Sequence, residues 1–251
     1  MPLSKQLPWR RSHAPAEAVK TDSAGSLNVC EAATAVGGRT VVALSTDKAV
    51  KPVNAMGMSK ALMEKIVCSQ NSHAASPIFC CVRYGNVMGS RGSVIPLFMK
   101  QIKRREPLTV TAPQMTRFML TLDDSVDLVV RAMQSAQGGE IFVRRAPAST
   151  VQDLANAMRL RYSELGGQHP ITTTGIRPGE KIHEVLVNEY EIQRAVSDDH
   201  IFVIHPEYRP VTPDTPVPLG EEYTSENTTR LSDPDAISAL LDRMGTIEGY
   251  G

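Results

Sequence analysis

An alternation of helix and strand patterns between Ala16 and Val82 limits this chain to few folds. Val41-Val42-Ala43-Leu44 is a short apolar run that follows Gly37-Gly38 and stops at Ser45-Thr46-Asp47-Lys48. Such a run reads as a strand buried on both faces, with a polar cluster at its C-terminal end. Before it, residues 16–35 carry helical spacing, with Ala18, Leu27, Val29, Cys30 and Ala33 on an inward side. After it, Asn54 caps a helix to about Gln70, whose stripe is Met58, Leu62 and Ile66. Ile78–Val82 is a second buried strand that ends in Arg83-Tyr84-Gly85-Asn86. This order predicts βαβ units, a parallel sheet and an α/β fold.

Two later helices carry start and stop signals. Thr121 with Asp124 opens one, with Leu122, Val126, Val129, Val130 and Met133 expected inward and Gly138-Gly139 after it. Ile141-Phe142-Val143 follows as a strand. Thr150 with Asp153 opens the next, with Val151, Leu154, Ala155 and Met158 inward and Gly166-Gly167 closing it. From about His205 to Gly220 the proline content predicts an extended surface segment, and Leu231–Met244 suits a last short helix.

Composition excludes several classes. The 27 basic and 27 acidic residues cancel, which argues against a nucleic-acid partner but leaves room for a small anion held by a few arginines. Cys30, Cys68, Cys80 and Cys81 have no zinc spacing and make no disulfide framework, and the six histidines show no metal spacing. No apolar stretch approaches the ~18 residues of a membrane span. Met1–Arg11 is basic without an apolar core, so it is no signal peptide, and cytoplasm is the expected location.

In open parallel sheets, ligands bind beyond the carboxyl ends of the strands. Asp47 and Lys48, at one such end, are a candidate acid and base. By themselves they are a weak signal, since most Asp-Lys dipeptides are solvated turns. The surrounding sequence adds more. Residues 44–60, Leu-Ser-Thr-Asp-Lys-Ala-Val-Lys-Pro-Val-Asn-Ala-Met-Gly-Met-Ser-Lys, and residues 83–96, Arg-Tyr-Gly-Asn-Val-Met-Gly-Ser-Arg-Gly-Ser-Val-Ile-Pro, form two blocks. Met115-Thr116-Arg117-Phe118 and residues 177–184, Arg-Pro-Gly-Glu-Lys-Ile-His-Glu, form two more. In order and spacing, the four resemble the inverting UDP-N-acetylglucosamine 4,6-dehydratases of surface-polysaccharide synthesis, extended short-chain dehydrogenase/reductases, over about Glu17 to Thr228.

The resemblance implies an incomplete Rossmann-type doubly wound parallel sheet, its first half missing, with a smaller C-terminal substrate lobe. It assigns residues 1–87 to the dinucleotide-binding domain and 88–251 mainly to the lobe, with a return strand near 140–145 and a helix at 151–165 packing on the Rossmann part. It implies a recycled NADP or NAD, a UDP-sugar substrate and a homo-oligomer. Lys48 matches the base at C5 of the sugar, Asp47 the acid for the C6 hydroxyl, and Thr46 a hydrogen-bonding group near the C4 oxygen. Ser45, Lys60 and Tyr84 match cofactor-binding positions, Lys60 at the nicotinamide ribose. Met56 matches the tyrosine of the usual tyrosine–lysine pair, and a thioether cannot exchange the C4 hydroxyl proton. One branch of the family carries this methionine, and a core role for Met56 is equally open.

Asn86, Arg91, Gly92, Ser93 and Val94 match the segment that cradles diphosphate and uracil. Arg117 and Arg177 match diphosphate-neutralising arginines, Glu180 a ribose-binding carboxylate, and His183 a structural position. The chain departs from the family in lacking a G-x-G-x-x-G-like turn after a strand, which predicts impaired cofactor binding, and in carrying Asp22 where asparagine is usual. A UDP-sugar 4-epimerase, a non-catalytic UDP-sugar-binding fragment and half of a two-chain assembly are the alternatives.

Overall fold

A computed structural model describes residues 14–72, 76–209 and 221–244. Met1–Arg11 and residues 210–220 of the proline-rich stretch lie outside the described residues. The chain forms two compact units: residues 1–84, 126–145 and 185–223 make the first, and 85–125, 146–184 and 224–251 the second.

The first unit is built on a five-stranded sheet. Its strands, in chain order, are β1 (Thr40–Thr46), β2 (Ile78–Tyr84), β3 (Ile141–Arg144), β4 (Ala195–Ser197) and β5 (Ile201–Ile204). They lie in the order β1-β2-β3-β5-β4. The first three are parallel, as the βαβ pattern predicts, and β5 runs antiparallel to both β3 and β4. β2 is buried from Phe79 to Arg83, as expected. β1 is not: Val41, Val42 and Ala43 are half-buried and Leu44 is 50% exposed. The reason is position, because β1 is an edge strand with no paired neighbour on its outer side among the described residues.

The helix Ala55–Ser69 starts where expected, with Asn54 Oδ1 accepting from Gly57 N at 2.9 Å. Its inward face differs from the expected one. Met58 and Leu62 are exposed, whereas Met63, Glu64 and Val67 are buried. The rotation follows from Arg83, which is 1% exposed. Arg83 Nε and Nη2 donate to the two oxygens of Glu64 at 3.0 and 2.6 Å. Nη1 and Nη2 donate to Glu191 at 2.9 and 3.0 Å, and Nη1 also to Leu186 O at 2.9 Å. A stripe read from apolar residues alone misses a helix face turned inward by a buried ion pair.

The helix Leu122–Ser135 also turns an unexpected face inward, for a different reason. Its start at Thr121 is as expected, with Asp124 N donating to Thr121 Oγ1 and Thr121 N to Asp124 Oδ2. Of the expected stripe, Leu122, Val126, Val130 and Met133 are exposed. Leu128 and Ala132 instead pack with Cys80, Val82 and Phe142 of the sheet. The helix is apolar on two sides, and spacing alone does not say which one the sheet covers. Before β1, an α-helical turn Pro15–Ala18, a π-helical segment Val19–Ala24 and an α-helix Gly25–Ala35 run on continuously. Ala18 and Cys30 are buried there, but Val29 is 58% exposed.

In the second unit, helices Val94–Lys103, Val151–Tyr162 and Pro234–Arg243 share a core around Phe98, Leu154, Met158, Ile237 and Leu241. Val151, Leu154, Ala155 and Met158 face inward as expected, into this core. Phe98, Leu108 and Met115 supply the apolar surface that receives the helix. Short strand pairs, Leu108–Val110 with Ile171–Thr173 and Thr116–Phe118 with Ala148–Thr150, complete the unit.

Burial by itself would push the Arg83 guanidinium down, but Glu64 and Glu191 outweigh it and hold it above its ordinary value. Burial likewise opposes ionised Glu191, and the charge of Arg83 overcomes it, so the carboxyl lies below its usual range. A depressed carboxyl stabilises the fold fully above its unfolded pKa and loses that contribution as pH falls through the folded one. Arg83→Met leaves two buried carboxylates unpaired and is expected to cost about 3–5 kcal/mol. Urea unfolding at pH 7 measures this, and the gap between wild type and Arg83→Met should narrow as the Glu191 carboxyl is protonated in acid.

Candidate functional site

Two groups of polar side chains stand out, one in each unit. The first lies at the C-terminal end of β1. The parallel register sets Ser45 beside Arg83 and Thr46 beside Tyr84. The chain then turns through a single 3-10 turn, Asp47–Ala49. Asp47 is fully buried, and its Oδ1 accepts from Thr46 Oγ1 at 2.5 Å and from Lys48 Nζ at 2.9 Å. Lys48 keeps 31% of its side chain exposed. An amine open to solvent therefore shares a hydrogen bond with a carboxyl group that is closed to it.

The start of the Ala55–Ser69 helix packs against this turn. A Cβ on Gly57 would lie 2.3 Å from Lys48 O and 3.1 Å from Pro52 Cβ, so only glycine lets the helix approach this closely. Lys60, one turn on, has its Nζ 3.2 Å from Asp22 Oδ1 and 3.4 Å from Leu44 O. Met56, one turn before Lys60 in the helix, is half-buried. Ser45 Oγ is buried without a hydrogen-bond partner, and burial pushes the half-buried Tyr84 phenol up. An orphaned hydroxyl and a partly exposed ammonium at a parallel strand end fit a hydroxyl-rich ligand such as a nicotinamide ribose.

The second group lines a cavity of about 220 Å³ in the second unit. Asn86, Gly92, Ser93, Val94, Arg117, Arg177 and Glu180 are in its wall. Arg91 is exposed and does not line it. Gly92 has φ +79°, which demands glycine at the turn into the Val94–Lys103 helix. Ser93 stands at the cap position of that helix. Asn54, Thr150 and Asp233 cap their helices through their side chains, but Ser93 does not. Its Oγ is buried and unpartnered, as is Asn86 Oδ1. Free polar atoms beside a helix N-terminus are the chemistry of an anion site.

The two arginines differ. Arg177 is exposed, and its guanidinium has no ion-pair partner among the described residues. It leads a turn in which Glu180 N donates to Arg177 O at 3.2 Å, with Gly179 at φ +80°. Arg117 is committed to the main chain: its Nη1 donates to Thr116 O at 2.7 Å and its Nη2 to Lys181 O at 3.1 Å, with Nε 3.6 Å from Glu184. Toward a ligand it offers its charge more than its fork.

Residues 3–206 match the family described as polysaccharide biosynthesis protein. The chain belongs to that family. It is 42% identical over 247 residues to a UDP-glucose 4-epimerase of Rickettsia bellii (strain OSU 85-389), covering 95% of this chain and 71% of the relative. It is 43% identical to the protein of that name in Rickettsia prowazekii (strain Madrid E), with 94% and 71% covered. The X-ray structure of Pen from Bacillus thuringiensis is 34% identical with a TM-score of 0.84, over 94% of this chain and 72% of that one. The dTDP-glucose 4,6-dehydratase DesIV from Streptomyces venezuelae, at 16% identity and TM-score 0.62 over 72% of this chain and 61% of that one, shares the fold. That fold is the Rossmann-like fold of the extended short-chain dehydrogenase/reductases.

Sequence reasoning in this family member missed the hydroxyls of Thr109, Thr111, Ser149 and Thr174, which also line the cavity. They lie in or beside short strands with no motif of their own. His183 is tied into the fold, its Nδ1 2.8 Å from Thr116 Oγ1, which is itself 2.6 Å from Ser225 Oγ. Among the described residues no cluster of His, Cys, Asp or Glu could hold a metal, and no helix is long and apolar enough to cross a membrane. Gly57→Ala is expected to displace Lys48 and to destabilise by about 1–3 kcal/mol, the cost of overpacking. Thermal unfolding measures the loss, and a crystal structure of the variant should find the Asp47–Ala49 turn moved.

Proposed function

We propose that this protein oxidises C4 of UDP-N-acetylglucosamine and then eliminates water across C5–C6, acting as a 4,6-dehydratase with inversion at C5 and a recycled NADP or NAD. The observation that carries the reading is the Asp47–Lys48 pair, with Met56 in place of a proton-exchanging tyrosine. Moving the shared proton from Lys48 Nζ to Asp47 converts the ion pair into a neutral amine and a carboxylic acid. Those are the two forms that elimination requires. Lys48 takes the C5 proton and Asp47 gives its proton to the departing C6 hydroxyl, so the pair returns to its charged state as water leaves. Thr46 Oγ1 hydrogen-bonds near the C4 oxygen, whose hydroxyl proton passes to solvent as hydride leaves C4. Lys48 gives a proton back to C5 as hydride returns at C6 and is reprotonated from solvent. Hydride removal at C4 and its return at C6 is the chemistry that a bound nicotinamide supplies, with Lys60, Ser45 and Tyr84 as the residues that would hold it.

In the second unit, the diphosphate is assigned to Ser93, the N-terminus of the Val94–Lys103 helix and Arg177, with Glu180 on ribose hydroxyls. An anion there gives Ser93 Oγ the partner it lacks. Arg117 adds charge without direct bonding. Arg177→Ala should weaken UDP binding about tenfold, the worth of one charge-assisted contact, as read by calorimetry.

A second reading is UDP-glucose 4-epimerase, favoured by relatives of that name at 42–43% identity. Simple epimerisation requires neither a C5 base nor a C6 acid. Mass and NMR analysis of UDP-N-acetylglucosamine, and of UDP-glucose, incubated with the protein and NADP or NAD separates the two. Loss of one water, reduced by about 10²–10⁴-fold in Lys48→Ala, is the expected result. An isomer of unchanged mass would replace this reading with the epimerase one. Unchanged substrate from a folded protein that binds UDP would leave a nucleotide-sugar-binding protein without the reaction.

A further inference from the structure

We propose that Cys68 and Cys81 form a dithiol that hydrogen peroxide oxidises to a disulfide, with Cys68 meeting the oxidant and Cys81 closing the bond. Neither thiol takes part in the chemistry proposed above. Folding brings the two sulfurs to 3.9 Å across the contact between the helix Ala55–Ser69 and β2. Successive side chains of a strand point to opposite faces. Cys80 accordingly packs with Leu128 and Ala132 on one face of the sheet, and Cys81 meets the helix on the other. Ala43 of β1 and Ile141 of β3 flank Cys81 in the sheet and hold it from both sides.

The two thiols differ in access. Cys81 is fully buried, whereas Cys68 is half-buried and lines a cavity of about 150 Å³ in the first unit. The exposed Lys65 and Glu207 stand in its wall, so the cavity reaches solvent. Hydrogen peroxide has roughly the bulk of two waters, ~30 Å³ each, and fits there. Lys65 and Arg194 both face Glu207, at 2.5 and 3.5 Å, and Glu64 is committed to Arg83. A partly exposed thiol beside cations is where peroxide attacks selectively. The contact with Cys68 and burial hold the Cys81 thiol well above its ordinary value, which keeps it from reacting with peroxide by itself.

The Cys68 sulfur attacks one peroxide oxygen and the O–O bond breaks. The departing hydroxyl takes the thiol proton as water, and Cys68 becomes a sulfenic acid. The Cys81 sulfur then attacks that of Cys68: the S–S bond forms, the S–O bond breaks, and the second hydroxyl leaves as water with the proton of Cys81. Two thiols lose two electrons in all, and the peroxide gains them. The sulfurs must close from 3.9 Å to the about 2.0 Å of a disulfide. That movement falls to the helix, because Cys81 is fixed between two strands and Cys68 lies in the last helical turn.

The test is mass spectrometry of the full chain, reduced, freed of reductant and treated with hydrogen peroxide while folded. The expected result is the loss of two hydrogens and a link within one chain between Cys68 and Cys81, with fragmentation between Cys80 and Cys81 showing which of them is joined. In Cys81→Ala, Cys68 should instead gain one oxygen and be labelled by dimedone, a sulfenic-acid reagent. In Cys80→Ala the link should form as in the wild type. A Cys68 that stays free, ends as a sulfinic acid, or pairs with Cys30, Cys80 or a second chain would overturn the proposal. Should a variant fail to fold, the peptide map of the unaltered protein decides: the Cys68–Cys81 link supports the proposal and any other product refutes it.

Discussion

One buried cation organises the first unit. Arg83 extends from β2 between Glu64 and Glu191 and gives each carboxylate two hydrogen bonds. A charge this deep is tolerable only when paired and fully hydrogen-bonded, and the planar guanidinium meets both conditions at once. Its reach to Leu186 O brings a third segment to the same point. The pair with Glu64 sets which face of the Ala55–Ser69 helix turns inward. That choice places Ser59 and Lys60 toward Asp22 and leaves Met58 and Leu62 in solvent.

From that anchoring the candidate chemistry follows. β1 is aligned to β2 residue by residue, so the position of Arg83 sets that of Ser45, and Asp47 follows two residues later. Gly57 allows the helix to touch the Asp47–Ala49 turn, and the turn directs Lys48 back onto the Asp47 carboxylate. The positions of Asp47, Lys48 and Lys60 thus depend on one strand end and one helix start. In the second unit the proposed anion site rests on unpaired polar atoms. Ser93 leaves its helix without a side-chain cap, whereas Asn54, Thr150 and Asp233 cap theirs, and Asn86 Oδ1 is buried unpaired.

Much of this was legible in the sequence. Val41–Leu44 and Ile78–Val82 announced two parallel strands, and Asn54, Thr121 and Thr150 marked helix starts that the structure places at the same residues. The polar cluster at residues 45–48 stood out at a strand end, whereas seven of the cavity residues were named only through the family resemblance. The strands, caps and polar cluster are local features, because capping, turn chemistry and strand-end polarity operate within a few residues. Helix faces were not legible where a charged residue turned inward, as at Glu64, or where two apolar stripes competed, as at Val126 and Leu128.

The sequence by itself determined the element order, the parallel pairing and which residue types could carry acid, base and anion-binding chemistry. Tertiary structure decided the rest: that β1 is a half-exposed edge, that Val151–Tyr162 joins the second unit's core, that Arg117 serves the main chain and that Asp22 meets Lys60. The physical reason is range. Backbone propensities and caps are set by neighbours in the chain, whereas burial and ion pairing depend on residues tens of positions apart, which only the folded chain brings within hydrogen-bonding distance.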